Sequence, residues 1–412
     1  MLKAEFIRGT LLKKEILPAF ILIVNAFSWY FPLYVFFDST LNKIGIGYTE
    51  VTIIFGAHYM AVVLFAIIGT TLVGKIISRN TLLSIWMFLG TIFSAFMVFL
   101  NSNNLVAVYL VPILMGIALG LGFPCCLAYF ADSVNAENRG RVGGVMLFAA
   151  HLGMLLIGFL NNILGFEENV IIFTFWRAMG FFAFQFLKGK NSNIEKETID
   201  TIDTSYKLLI SEKSFILYMV PWIMFCLVNF FVGPLQQHHW GIEASNTVST
   251  AEFGIASIAT LIGGYFADSV GRKRLVILGY ILLGIGYAML SIFPSNQISI
   301  GIYAVFDGIA WGLFALIFFT TIWGDLSGNK AKEKYYLLGE LPFLISSYIS
   351  IIVAPYAAII PISASFSLAS FFLFLAVVPL MYAPETLPEK KIRERELKGY
   401  INKAKKVKEK YT

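Results

Sequence analysis

Twelve apolar stretches, each of roughly 20 residues, make up most of this 412-residue chain. A helix of about 20 apolar residues spans the hydrocarbon core of a bilayer. Barrel strands would alternate apolar and polar side chains, and these stretches do not. They predict helical spans at 16–37, 50–74, 81–100, 105–130, 142–164, 169–187, 215–235, 250–267, 275–293, 298–323, 336–360 and 364–382. The chain is therefore predicted to be an all-α integral membrane protein.

Basic residues alternate with the spans. Of the 31 Lys and Arg residues, 29 lie in every second gap or at the two chain ends, and the exceptions are Lys43 and Arg177. Loops rich in Lys and Arg stay on the cytoplasmic side of a membrane. With an even number of spans, both termini are expected in the cytoplasm of a multi-pass cell-membrane protein.

The composition excludes several classes of protein. The net charge of +6 comes from the loops and the basic tail, so nucleic acid is not an expected partner, whereas anionic membrane lipids are. Cys125, Cys126 and Cys226 lie within predicted spans and have no zinc or disulfide spacing. No nucleophile triad, P-loop or dinucleotide turn is found. We expect no enzyme activity, no cofactor and no metal, and the proton gradient as the energy source.

Two longer polar segments divide the chain. The predicted organisation is a six-span half at 1–187, a cytoplasmic linker at 188–213, a second six-span half at 214–383 and a basic tail at 384–412. Three matches between the halves share nearly one offset: residues 116–121 with 308–313 (192), Asp132 and Arg139 with Asp325 and Lys332 (193), and Gly69 with Gly263 (194). Halves repeated about an axis along the membrane normal are typical of rocking transporters, whose site lies between the halves.

The loop after the eighth span carries a recognisable motif. Residues 264–274 read GYFADSVGRKR, which resembles the signature G-x-x-x-D-x-x-G-R-[KR]-[KR] of the major facilitator superfamily. In the loop after the second span Gly69 is kept, but Gly74 stands in place of the acid and Ile77 in place of the second glycine. The resemblance implies two six-helix halves related by a pseudo-two-fold axis along the membrane normal, and a secondary transporter.

Further motifs are similar to those of the sugar-porter and metabolite–proton symporter branches. Asp132 followed by Arg139-Gly140-Arg141 is similar to their loop after span four, and Asp325 with Lys332 is a second copy. Residues 384–386, Pro-Glu-Thr, follow the last span as in these branches. The pair Gln236 and Gln237 is similar to glutamines that hydrogen-bond substrate hydroxyls there. These motifs imply a sugar-like or metabolite-like solute.

The loop motifs predict a cytoplasmic gate. Asp268 is expected to approach the start of span five, while Arg272 and Arg139 engage acids such as Asp132. Such contacts would exist only when the cytoplasmic side is closed, as alternating access requires. The gate residues are Gly264, Asp268, Gly271, Arg272, Lys273, Asp132, Arg139, Arg141, Asp325 and Lys332.

Charged residues within spans are costly, so each calls for a reason. Asp307, with Trp311 one turn further along span ten, is a candidate proton or substrate site; the alternative is a structural hydrogen bond between helices. Arg177, in the middle of span six, would attract an anionic substrate or neutralise an acid such as Asp307. Span six is usually peripheral in this family, which favours a structural role.

His58 and His151 are the only histidines in span interiors, and Asn25 is the only strongly polar residue inside span one. The histidines are candidates for a proton relay, or are neutral and hydrogen-bonded to a neighbouring helix.

The predicted function is secondary transport of a small organic solute by alternating access, coupled to protons and carried out by a monomer. Two alternatives stay open: efflux of lipophilic compounds by proton antiport, and a transporter-like sensor without flux.

Overall fold

Twelve long helices dominate the computed structural model, which describes residues 16–100, 104–188 and 205–387, together with Arg393 and Leu397. Within these residues, twelve helices are long and apolar enough to cross a membrane, which confirms the predicted spans. We label them α1 to α12 in chain order: Leu17–Lys43, Tyr48–Leu72, Arg79–Phe99, Leu105–Ser133, Ala136–Ile163, Phe166–Leu187, Lys213–Trp240, Ile242–Ala267, Arg272–Ile292, Gln297–Ser327, Lys332–Tyr356 and Ile362–Tyr382.

The first six helices and the last six repeat one packing pattern, and we call these sets the first half and the second half. In the first half α1 packs on α5 and α6, α2 on α4, and α3 on α4 and α6. Adding six to each number gives the packing of the second half. Between the halves α5 packs on α8 and α2 on α11, two pairs that the same shift exchanges. A two-fold relation between the halves produces this exchange.

One end of the bundle carries the basic loops. The α-helical parts of α3, α5, α9 and α11 begin there with Arg79, Arg139, Arg272 and Lys332, and in α5 a 3-10 turn precedes Arg139. We call it the basic end and the other the opposite end. In the predicted linker, the helix Tyr206–Ser211 also lies here: the Tyr206 hydroxyl is 3.2 Å from Thr70 Oγ1 of α2.

Helix α10 is irregular where it meets the first half. Residues Ala315–Ile322 are wound as a π-helix and are all buried. Phe319 of this segment contacts Phe27 and Phe123, with ring centroids 5.3 and 6.4 Å away. π-Helical turns are frequent at functional sites.

Candidate functional site

A cavity of about 30 Å³ lies between the two halves. Six residues of the first half and three of α11 line it: Tyr30, Phe31, Tyr34, Tyr59, Leu119, Phe123, Phe343, Leu344 and Ser347. None of them is charged, and the polar groups among their side chains are hydroxyls. A space of this size holds only a water or two, so an organic solute requires the halves to separate.

Hydrogen bonds join α2 to α11 near the opposite end. The Tyr48 hydroxyl donates to the Ile351 carbonyl over 3.1 Å, and the Tyr348 hydroxyl donates to the Thr52 carbonyl over 3.1 Å. Ion pairs, described below, join the halves at the basic end. Contacts between the halves are therefore present at both ends.

His58 connects the cavity wall to α4. Its Nδ1 lies 2.7 Å from the carbonyl oxygen of Pro112, and its Nε2 lies 2.7 Å from the Tyr30 hydroxyl. The ring is buried, and Tyr30 stacks on it with centroids 6.2 Å apart. Gly116 lets α4 approach this closely, because a Cβ there would collide with the His58 carbonyl oxygen.

The other two tyrosines of the cavity also pair. The Tyr59 hydroxyl donates to the Tyr34 hydroxyl over 2.8 Å, and the Ser347 hydroxyl lies within hydrogen-bond reach of Tyr59. Ser347 lies on α11, so this chain of hydroxyls joins the second half to the first.

Two carboxyl groups face each other inside the second half. Asp307 of α10 is 2% exposed, and the Glu252 carboxyl group of α8 lies within hydrogen-bond reach of it. Asp307 Oδ1 and Glu252 Oε1 have no hydrogen-bond partner among the described residues. Each residue stands ten positions after the start of its helix, at Ile242 or Gln297, so both lie about 15 Å from the opposite end. Two facing carboxylates repel each other, so the pair favours holding one proton.

The sequence does not identify Glu252, because the hydropathy pattern starts span eight at 250 and leaves this acid at its edge. The helix begins at Ile242, and its polar first turns still satisfy their backbone hydrogen bonds internally. The sequence does contain one sign of this earlier helix start, which is the glycine at 241. In the structure Gly241 has φ 84° and separates α7 from α8.

The carboxyl pair has polar neighbours on α7, α9 and α10. The Tyr303 hydroxyl donates to Asp307 Oδ2 over 3.4 Å and lies 3.2 Å from the Tyr287 hydroxyl. Gln236 is buried against Tyr303, whereas Gln237 is exposed. The structure thus brings one of the two glutamines to the carboxyl pair and not to the cavity.

Trp311 lies between the carboxyl pair and the cavity. It follows Asp307 by one helical turn, and its Nε1 donates to Asn229 Oδ1 over 3.2 Å. Its ring packs edge-on against Phe343, with centroids 6.2 Å apart, and Phe343 lines the cavity.

His151 of α5 lies at the interface with α8. Its ring meets Phe253 edge-on with centroids 4.8 Å apart, and Phe253 follows Glu252 in the chain. The ring is 7% exposed, and Nδ1 has no hydrogen-bond partner among the described residues.

Arg177 is fully buried in the first half. Its guanidinium group lies 4.3 Å from the ring centres of both Trp29 and Trp86, and Nη1 donates to Asn25 Oδ1 over 2.8 Å. Nε and Nη2 have no hydrogen-bond partner in the described part of the chain. Because α6 packs on α1 and α3, Arg177 does not reach Asp307 in the second half. Arg177 therefore does not neutralise Asp307.

Asp268 caps the first turn of α5, as the loop motif predicts. The N–H groups of Gly140 and Arg141 donate to its two carboxylate oxygens over 2.9 and 2.7 Å. A negative charge at a helix N-terminus is favourable. Gly264 permits this approach, since a Cβ there would lie 2.6 Å from the Gly140 carbonyl oxygen. Burial raises the pKa of Asp268 to about 6, although Arg272 and the two N–H groups lower it.

Arg139 and Arg272 engage an acid at the basic end, as the loop motifs predict, but the acid is not the example named there. Arg139 and Arg272 both contact Asp325 and not Asp132. Arg139 Nη2 also donates to the Ala131 carbonyl over 2.6 Å, which fixes its side chain away from the acid of its own loop. The interface between the halves places Asp325, the counterpart of Asp132 in the second half, opposite Arg139.

Asp132 instead receives two basic residues. Arg79 Nη1 lies 2.6 Å from its Oδ2, and Lys332 Nζ lies 2.7 Å from its Oδ1. Lys332 belongs to the second half, so this cluster, like that of Asp325, crosses between the halves. Basic residues at helix N-termini are unfavourable by themselves, and these acids offset that cost.

The segment after α12 holds the start of α9. The Arg272 N–H donates to Glu385 Oε1 over 2.9 Å, and Lys273 Nζ donates to the carbonyls of Met381 and Ala383 over 2.9 and 2.8 Å. Gly271 has φ 118°, a backbone conformation that favours glycine, and a Cβ there would also collide with Glu385.

Comparison with known proteins agrees with this architecture. The family model described as Major Facilitator Superfamily matches residues 18–233 and 213–409. The structure of the proton:xylose symporter XylE bound to 6-bromo-6-deoxy-D-glucose is similar, with a TM-score of 0.70, 15% identity, and 90% of this chain and 96% of that one covered. FucP in the outward conformation has a TM-score of 0.65, 9% identity, and 90% and 99% coverage.

No significant similarity to a curated protein is found. The low identities to XylE and FucP show a shared fold alone. The family model, in contrast, matches the sequence itself, and the match extends over both halves. This chain therefore belongs to the Major Facilitator Superfamily, and it is a membrane transporter and not an enzyme.

Proposed function

We propose that this protein transports an uncharged, hydroxyl-bearing solute of about monosaccharide size, together with protons. The observation that carries the proposal is the cavity between the halves, where the only polar side-chain groups are three tyrosine hydroxyls and one serine hydroxyl. Charged solutes would find no opposite charge in its lining. Aromatic faces and hydroxyls suit a sugar, which has apolar C–H faces and many hydroxyl groups. The fold shared with a proton:xylose symporter supports this substrate class.

The carboxyl pair of Glu252 and Asp307 is the proposed proton site. Trp311 and Phe343 link it to the cavity, so a change of charge at the pair can alter packing at the solute site. Burial makes two unprotonated carboxylates costly, which favours uptake of a proton before the halves rearrange. His151 lies beside this site and is a candidate route for the proton.

The basic end is proposed to face the cytoplasm of a cell membrane, since it collects the Lys and Arg residues. The cross-half ion pairs there form the gate on that side. The cavity lies within one chain, so a monomer is sufficient for transport.

Efflux of lipophilic compounds is the second candidate. It is favoured by the rings of Phe31, Phe123 and Phe343, which surround the same cavity. A lipophilic cation would use the rings and the acid pair, and would need none of the hydroxyls.

The test is solute-dependent proton movement in proteoliposomes containing the purified protein and a pH dye. Sugars, organic acids, amino acids and lipophilic cations are added in turn to the wild type and to Asp307→Asn. Proton flux with a sugar, lost in the variant, supports the proposal. Flux with a lipophilic cation alone supports efflux. Sugar transport without proton flux, unchanged by the substitution, contradicts the proposed coupling to protons. If none of the solutes is transported, the proposed substrate class is contradicted and the sensor alternative is favoured.

A further inference from the structure

The position of the His58 proton follows from its partners. Nδ1 lies 2.7 Å from the Pro112 carbonyl oxygen, which can only accept a hydrogen bond, so Nδ1 carries a proton. None of the described carboxylates contacts the ring, and burial favours its uncharged form. The neutral ring has one proton, so Nε2 is an acceptor.

This fixes the direction of the next hydrogen bond. The Tyr30 hydroxyl lies 2.7 Å from Nε2 and must donate its only proton to it. The Tyr30 oxygen is then left with lone pairs alone, and Tyr30 lines the cavity. It therefore offers the solute an acceptor and no donor.

The neighbouring tyrosine has the reverse polarity. Tyr34 accepts a hydrogen bond from the Tyr59 hydroxyl. Tyr34 keeps its own proton to donate. Tyr30 and Tyr34 stand one turn apart on α1 with ring centroids 6.3 Å apart, and both line the cavity.

We propose that His58 determines the specificity of the cavity by fixing Tyr30 as an acceptor beside the donor Tyr34. The pair matches a solute hydroxyl, which donates to Tyr30 and accepts from Tyr34. An ether, ketone or fluoro group accepts but does not donate, so it leaves Tyr30 unsatisfied. His58 is a positioning residue in this arrangement. The inference rests on the proposed function only in taking the cavity as the solute site.

The first test requires no solute. ¹⁵N NMR of histidine-labelled protein reports which ring nitrogen carries the proton, and the chain has four histidines. The His58 signals are assigned by their loss in His58→Gln. If that variant does not fold, the His151→Gln, His238→Gln and His239→Gln variants assign them by elimination. We expect a proton on Nδ1 and none on Nε2. A proton on Nε2, or on both nitrogens, overturns the inference.

The second test uses a transported monosaccharide and its analogues, each with one hydroxyl replaced by fluorine. At one carbon we expect a loss of roughly 10- to 100-fold in kcat/KM, because a buried acceptor is left without a donor. Tyr30→Phe should abolish this discrimination, and His58→Gln should alter it only while Tyr30 is present. Tyr109→Phe, at an exposed position on α4, is the matched control.

Equal transport of every fluoro analogue by the wild type overturns the inference, as do independent effects of the Tyr30 and His58 substitutions. Absence of transport of any monosaccharide contradicts the proposed substrate class instead. The NMR result then decides the polarity of Tyr30 by itself.

Discussion

Arg79 and Glu333 form an ion pair that crosses from α3 in the first half to α11 in the second. Arg79 Nε donates to Glu333 Oε1 over 2.7 Å, and the two side chains are 3% and 6% exposed. The loop after α2 has Gly74 where the family signature has an acid. Glu333 stands at the start of α11, the helix equivalent to α5, whose start is capped by Asp268. Glu333 thus places at the start of α11 a negative charge that the loop lacks.

Replacing Glu333 by Gln should favour opening of the basic end. The substitution leaves part of the buried Arg79 charge without its partner, at a cost of about 1–3 kcal/mol, while Asp132 keeps the rest paired. Distances between spin labels at the exposed positions Ile76 and Asn329 should then shift to longer values. Glu243→Gln, at an exposed position on α8, is the control. An unchanged distance distribution would remove Glu333 from the gate.

The closed form of the basic end should weaken as the pH rises through about 6. Burial raises the pKa of Asp268 to about 6 from 3.8, so the closed form binds this proton more tightly than a form with Asp268 in water. Protonation therefore favours the closed form fully below about pH 4, and the advantage, at most about 3 kcal/mol, is lost above pH 6. The same spin-label distances, measured from pH 4 to 8, check this. The dependence should disappear in Asp268→Asn, and its persistence there would assign it to another group.

Glu252→Gln should reduce proton coupling as Asp307→Asn does. Each removes one carboxyl group of a facing pair, and the remaining group no longer has a neighbour with which to share a proton. We expect solute-driven proton flux to fall by roughly tenfold or more, a barrier change of about 1.4 kcal/mol or more. Glu243→Gln on the same helix is again the control. Normal proton flux in Glu252→Gln would leave Asp307 as the only coupling acid of the two.

Arg177→Met should destabilise the protein far less than Arg139→Met. Arg177 has no acid partner among the described residues, so its loss leaves no buried carboxylate unpaired and forfeits two ring contacts and one hydrogen bond to Asn25. Loss of Arg139 deprives the buried Asp325 of one of its two cations, and breaking such pairs costs about 3–5 kcal/mol. Thermal unfolding in detergent measures the difference. A larger loss of Tm for Arg177→Met would mean that the guanidinium group makes a more stabilising interaction than those with the two indole rings.

Much of the fold follows from local pattern. The lengths of the apolar stretches, the alternation of basic gaps and the repeat offsets predict twelve helices in two similar halves, because a bilayer forces each apolar segment to satisfy its own backbone as a helix. The loop motif also predicts the contact of Asp268 with the start of α5, which the structure shows. The sequence also places Arg177 in the middle of the membrane, because the ten residues between it and Lys188 are too few for a full span.

The sequence does not determine which side chains contact each other across the helix bundle. The loop motifs predict that Arg139 engages an acid such as Asp132, whereas the interface between the halves pairs it with Asp325, 186 residues away. The sequence places Glu252 at a helix edge, although α8 begins eight residues before residue 250 and brings this acid level with Asp307.

What the sequence alone determined, then, is which segments cross the membrane and which family they form, since hydropathy and loop charge act on each segment separately. Only the tertiary structure decided which buried charges and hydroxyls face each other. Those contacts depend on the rotation and depth of helices packed from different halves, and a single sequence carries no direct signal for either.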